Sequence, residues 1–166
     1  MPPYVLYPSL ALTVIAITGG FLSKRLKDKK RFTFWVLLAE CVFIVICSTV
    51  VFRAHMAIAR WELMPFWTYQ AVMDHVPGVS VWDIVLNIVL FLPLGFLVNL
   101  LKPSLSFLWM MGIALCLSVF IESNQFFFEK GAAQIDDVLH NVIGALLGWL
   151  IAKGCIRLKE AICSRQ

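Results

Sequence analysis

In a chain of 166 residues, 61% hydrophobic and only 14% charged, with a mean hydropathy of +0.87, a soluble globular domain is excluded and lipid must be the solvent. The net charge of +4 does not point to nucleic acid, because the basic residues flank apolar runs instead of interleaving with a polar, aromatic-bearing surface. A spanning helix needs about 20 mostly apolar residues, so the chain has room for four or five spans and short loops as a single membrane domain over residues 1–166.

Five apolar segments follow one another at residues 4–22, 32–52, 81–101, 104–125 and 137–152. The opening Met1-Pro2-Pro3-Tyr4 lacks the basic region of a secretory signal, so the first segment is expected to remain as a span. Between the first two segments lies Lys24-Arg25-Leu26-Lys27-Asp28-Lys29-Lys30-Arg31, which the positive-inside rule assigns to the cytoplasm. That places the N-terminus outside and, by alternation, the tail at 153–166 in the cytoplasm. Six, one and four Lys or Arg then lie inside, against Arg53, Arg60 and Lys130 outside. Trp61, Trp67 and Trp82 fall near the outer interface and Trp35, Trp109 and Trp149 near the inner one, the pattern of aromatic belts. The expected fold is an all-α polytopic helical bundle of about five transmembrane helices in the plasma membrane.

Cys41, Cys47 and Cys116 lie inside apolar runs and Cys155 and Cys163 follow the last one, with no CxxC or Cys/His metal spacing. They read as reduced thiols that pack as small hydrophobes. The outer connection after the second span contains Met64-Pro65-Phe66-Trp67-Thr68-Tyr69, too aromatic for a solvated loop and too short to cross the bilayer. It is expected to lie along the interface or to dip back into the bundle. His55 and His75, in the same connection, read as solvated or interfacial.

Polar side chains inside spans each need an account, since a charge at the bilayer centre costs about 2.5 to 3.5 kcal/mol on insertion scales. Asn87 sits just below the outer end of the third span. Glu122 and Gln125 share one face at the outer end of the fourth. Asp136, Asp137, His140 and Asn141 open the fifth, where Asp136/His140 and Asp137/Asn141 are each four residues apart. Three spans thus place polar groups at one depth, and the reading is one outward cavity with Arg53 at its rim. Plainer accounts stand beside it: an aspartate capping the fifth helix, Asn87 and Asn141 as interhelical hydrogen-bond partners, and Gly144 with Gly148 as a packing stripe. Glu40, deep in the second span and toward its cytoplasmic half, cannot join the cluster and reads as a locally paired or protonated structural residue, with a proton- or ion-linked role as the alternative. Glu122, Asp136, Asp137 and His140 have the chemistry to hold a hard divalent ion, but no metal site or cofactor is predicted. Phosphate loops, HExxH and GxSxG are absent, and no inverted repeat points to a transporter.

Four blocks of the sequence resemble the VanZ-like membrane proteins. Pro65-Phe66-Trp67 is similar to the family's Asn-Pro-Phe motif, with Met64 where Asn is usual. The stretch from Asp83 to Phe96 resembles its apolar span with an Asn, here Asn87, and a closing Pro-x-Gly, here Pro93 and Gly95. Glu122 to Gln125 resembles its Glu-x-x-Gln block, and Asp136-Asp137 with Asn141 and Gly144 its Asp-Asp-x-x-x-Asn-x-x-Gly block. These cover a core at about 65–148. The chain departs from the family in carrying Gln134 where an acid is common and Gly131 where many members have Arg. The resemblance implies an envelope protein that lowers susceptibility to acylated glycopeptides such as teicoplanin, with little effect on vancomycin.

Three readings of function follow. The leading one is a non-catalytic protein that binds the polar head of a membrane lipid, a lipid-linked cell-wall precursor or an acylated glycopeptide at the outer leaflet. Its candidate ligand-binding residues are Arg53, Trp67, Asn87, Glu122, Gln125, Asp136, Asp137, His140 and Asn141. The second is an intramembrane enzyme acting on a lipid-linked substrate, with Glu122 or Asp137 as general base and Arg53 holding an anionic head group. The third is a helix-packing scaffold, for which Gly144 and Gly148 matter more than any acid.

Overall fold

The computed structural model describes residues 3–22, 27–53 and 61–164. Five helices among them are long and apolar enough to cross a membrane. They are α1 (Pro3–Leu22), α2 (Lys29–Ile46) continued by a π-helical turn (Cys47–Val51), α4 (Val81–Leu101), α5 (Phe107–Phe127) and α6 (Ile135–Cys163). A short α3 (Trp67–Met73) lies between the second and third of these. At about 1.5 Å per residue, the 21 residues of α4 match a hydrocarbon core of about 30 Å. His55, Arg60, Lys24 and Arg25 lie outside the described residues.

Apart from the helices, the described residues form one small parallel ladder, β1 (Trp61–Glu62) on β2 (Ala133–Gln134), with Trp61 paired to Ala133 and Glu62 to Gln134. It ties the connection after α2 to the start of α6. The first four spans begin and end within three residues of the expectation, and the last departs furthest. The last helix begins at Ile135, two residues before the expected start, and runs unbroken to Cys163, so the expected tail is mostly a helical extension. Charged side chains on an exposed helix cost nothing in water, and nothing between Lys153 and Cys163 forbids helix. A hydropathy reading ends the span where charges begin, and the helix ends later.

α6 packs most extensively on α4, and the cause is glycine. A Cβ on Gly144 would lie 2.2 Å from Ile88 O, one on Gly148 would lie 1.9 Å from Leu92 O, and one on Gly95 would lie 1.8 Å from Ala145 O. Hydrogen at these positions lets the two backbones touch, the device that replaces hydrophobic attraction between helices in lipid. Against this pair pack Val45 of α2 and Met110, Ala114 and Ile121 of α5, forming the buried core with Phe91, Leu94, Ala145 and Trp149. α1 packs on α2, where Ser9 and Thr13 hydroxyls donate to the two oxygens of Glu40 at 2.9 and 3.0 Å. Glu40 is thus paired locally across α1 and α2, away from the polar cluster.

Candidate functional site

The ends of α2 and α5 and the starts of α4 and α6 meet at one end of the bundle, with α3 tucked against them. The second spanning helix loosens there. Ser48 and Thr49 hydroxyls donate back to Ile44 O and Val45 O at 2.6 Å each, and Phe52 N donates five residues back to Cys47 O at 2.9 Å. Beyond this wide turn, Arg53 Nη1 donates to Gln125 Oε1 at 2.9 Å, while Gln125 Nε2 donates to Thr49 O at 3.1 Å. One buried amide on α5 therefore satisfies both the end of α2 and its arginine. Gly131 makes room for the guanidinium, since a Cβ there would lie 3.3 Å from Arg53 Cζ.

The two aspartates that open α6 part company. Asp136, 2% exposed, accepts from Phe66 N at 2.7 Å and Thr68 N at 2.9 Å. It caps α3 from a distant helix, and it holds Phe66 in the left-handed region at φ 65°, an unfavourable conformation for a bulky residue that needs such anchoring. Capping of α6 by its own aspartates does not occur: the cap residue is Gln134. Asp137 instead faces a cavity and lies beside Asn87 of α4. Successive helical residues are about 100° apart, so the two neighbours must serve different partners.

That cavity, of about 380 Å³, is bounded by the end of α2, α3, the turn before α4 and the start of α6. Arg53, Trp67, Asn87 and Asp137 line it, together with Ser48, Thr68, Asp83 and Gln134, against apolar surface from Val79 and Leu86. Asp83 Oδ2 also accepts from Ser80 N at 2.7 Å, which fixes the first turn of α4. The remaining candidates lie behind the wall. Glu122 Oε2 accepts from Gln134 N at 2.9 Å, locking α5 to the ladder and to the first turn of α6. His140 Nε2 lies 2.9 Å from Tyr69 Oη, and Asn141 Nδ2 donates to Ser118 Oγ at 2.8 Å. Ser118 is one turn below Glu122, so Asn141 is held deeper in the bundle than the Glu122 contact with Gln134. Only Arg53, Trp67, Asn87 and Asp137 of the nine candidates open on the cavity. Glu122, Gln125, Asp136, His140 and Asn141 brace it. No group of three or more His, Cys, Asp or Glu side chains among the described residues is arranged to hold a metal ion.

Sequence reasoning passed over Asp83, Gln134 and Thr68. Asp83 carried a usable signal, being four residues before Asn87 and therefore on its face. Gln134 was marked only as standing where an acid is common in the family, and its role depends on the ladder. Asn99, fully buried in α4 with neither amide atom hydrogen-bonded among the described residues, was also missed; it lies toward the opposite end.

A family model described as VanZ/LLP1 matches residues 32–158, which takes in every element of the cavity and the glycine-packed pair. The chain belongs to the VanZ/LLP1 family. Among curated proteins it is similar to Protein VanZ of Enterococcus faecium, 39% identical over 62 residues, 37% of this chain. The matched stretch spans 38% of that VanZ protein. No solved structure matches the chain. Family membership together with five spanning helices makes this VanZ-like chain a multi-pass membrane protein.

Proposed function

We propose that the protein binds the polar head of an amphiphile in the Arg53 cavity, at the outer leaflet of the plasma membrane, and thereby lowers susceptibility to teicoplanin-type lipoglycopeptides. The observation that carries this reading is the cavity itself: a guanidinium, two carboxylates and two amides, from Arg53, Asp83, Asp137, Asn87 and Gln134, converge on one cavity at the end of a helical bundle. Polar groups at membrane depth line cavities where something polar enters, and apolar walls beside them suit a ligand with a lipid tail. The positive-inside distribution supports placing this end outside, where lipid-linked cell-wall precursors and acylated glycopeptides meet the membrane. Glu122 supports it differently from the sequence expectation: engaged with Gln134 N, it holds the wall in place.

The test is expression in a glycopeptide-susceptible bacterium lacking such a protein. Wild type is expected to raise the inhibitory concentration of teicoplanin and to leave vancomycin nearly unchanged. Asn87→Leu and Asp137→Asn, at wild-type membrane abundance, are expected to remove most of that protection. Unchanged protection in both variants rejects the cavity reading. An enzymatic reading retains one supporting observation, Asp137 beside Asn87 in a cavity that also holds Arg53. It requires turnover of a lipid-linked substrate that Asp137→Asn abolishes.

A further inference from the structure

The other end of the bundle holds a second cleft, unconnected with the Arg53 cavity. Arg31 is the third residue of the 23-residue span Lys29–Val51, which ends two residues before Arg53, so about 33 Å of helix separates the two sites. The cleft, of about 560 Å³, opens between the first turns of α2 and α5 over the last turn of α4. Its polar corner is formed by Arg31 and Lys102, with no acidic side chain in the lining. Asp28, three residues before Arg31, is engaged in capping α2, accepting from Arg31 N at 2.9 Å. The N-terminal ends of α2 and α5 lie here and favour an anion, while the C-terminal end of α4 offsets one of them, which leaves Arg31 and Lys102 as the main attraction. From this corner the walls run apolar along Trp35, Leu38, Trp109 and Ile113. Trp35 and Trp109 are 54% and 70% exposed, as expected of rings at the level of lipid head groups.

We propose that this cleft binds one anionic phospholipid, its phosphate between Arg31 and Lys102 and an acyl chain along Trp35, Leu38, Trp109 and Ile113. Two cations with no acid in the lining select a negative head group, and the length of apolar wall selects a tailed molecule over free phosphate. Basic pockets between transmembrane helices hold anionic head groups by this chemistry. The lipid would clamp α2, α4 and α5 at the end where glycine contacts do not.

Quenching of tryptophan emission by brominated acyl chains reads this directly. The full chain is reconstituted in phosphatidylcholine vesicles carrying a small fraction of either brominated phosphatidylglycerol or brominated phosphatidylcholine. Per mole of brominated lipid, the anionic one is expected to occupy the cleft roughly 30-fold more strongly, from two basic contacts, and to quench Trp35 and Trp109 correspondingly more. Arg31→Gln/Lys102→Gln is expected to bring the ratio close to one, and Arg31→Lys/Lys102→Arg to keep it. Equal quenching in wild type, or an undiminished ratio in the glutamine variant, overturns the proposal. So does loss of the preference on adding millimolar inorganic phosphate, which would mark a free-anion site. Should the glutamine variant fail to assemble, Trp35→Phe/Trp109→Phe decides: the selective quenching must vanish, and its survival places the lipid elsewhere.

Discussion

Arg53 and Gln125, 72 residues apart in sequence, are joined by a hydrogen bond of 2.9 Å from Nη1 to Oε1. The same glutamine reaches the carbonyl of Thr49, so replacing it strands a donor and an acceptor together. Gln125→Leu is expected to lower stability by about 1 to 3 kcal/mol, the cost of leaving buried polar groups unpaired. Thermal unfolding in detergent measures it. A midpoint equal to that of wild type would show that the bond does not hold α2 to α5.

The two adjacent aspartates are expected to separate in their effects. Asp136→Asn turns one of two acceptor oxygens into a donor facing Phe66 N and Thr68 N, and so frees α3. Its readout is faster proteolysis within residues 61–80. Asp137→Asn leaves that segment as resistant as in wild type and acts on ligand binding alone. Equal protease sensitivity of the two variants would contradict the division of labour.

Much of this end of the molecule was legible in the sequence, because depth in a membrane can be counted. The fixed rise of a helix brings Asn87, Glu122 and Asn141 to the same end of the bundle but not to one level: Glu122 meets Gln134 N, while Asn141, seven residues further along the chain in α6, meets Ser118, one turn below Glu122. Facing was legible in part: Glu122 and Gln125 do share a buried side of α5. What each side chain touches was not legible, since partners come from other elements. The wide turn at Cys47–Val51, the ladder at Gln134 and the left-handed Phe66 decide which polar groups open on the cavity and which brace it. None of these has a hydropathy signature. Ser48 and Thr49, whose hydroxyls bond back to the helix, were the one local hint that α2 would loosen.

Glycine substitutions test the packing of α4 on α6. Gly148→Ala sets a methyl group 1.9 Å from Leu92 O, and the helices must separate. A loss of about 1 to 3 kcal/mol or more is expected from such overpacking. Gly112→Ala, with nothing within 4 Å of its Cβ, is the control and is expected to be neutral or stabilising by up to about 1 kcal/mol. Comparable losses in both variants would remove the special status of the α4 and α6 contact.

Orientation is open to cysteine labelling. Cys155 and Cys163 are exposed on the last helix, at the end opposite Arg53, whereas Ser80 is exposed beside the cavity. In intact cells a membrane-impermeant maleimide is expected to leave the wild type unlabelled and to label Ser80→Cys. Labelling of the wild type at Cys163 would invert the topology and place the cavity on the cytoplasmic side.

The central claim, that the Arg53 cavity holds the polar head of an amphiphile, is tested most directly by what the protein carries out of the membrane. Wild type and the Asn87→Leu/Asp137→Asn variant, extracted with their surrounding lipid in polymer nanodiscs, are compared by mass spectrometry of the retained lipids. The account predicts a lipid-linked cell-wall precursor enriched severalfold over its bulk membrane fraction in the wild type and returned to that fraction in the variant. Identical lipid profiles in the two preparations would contradict it.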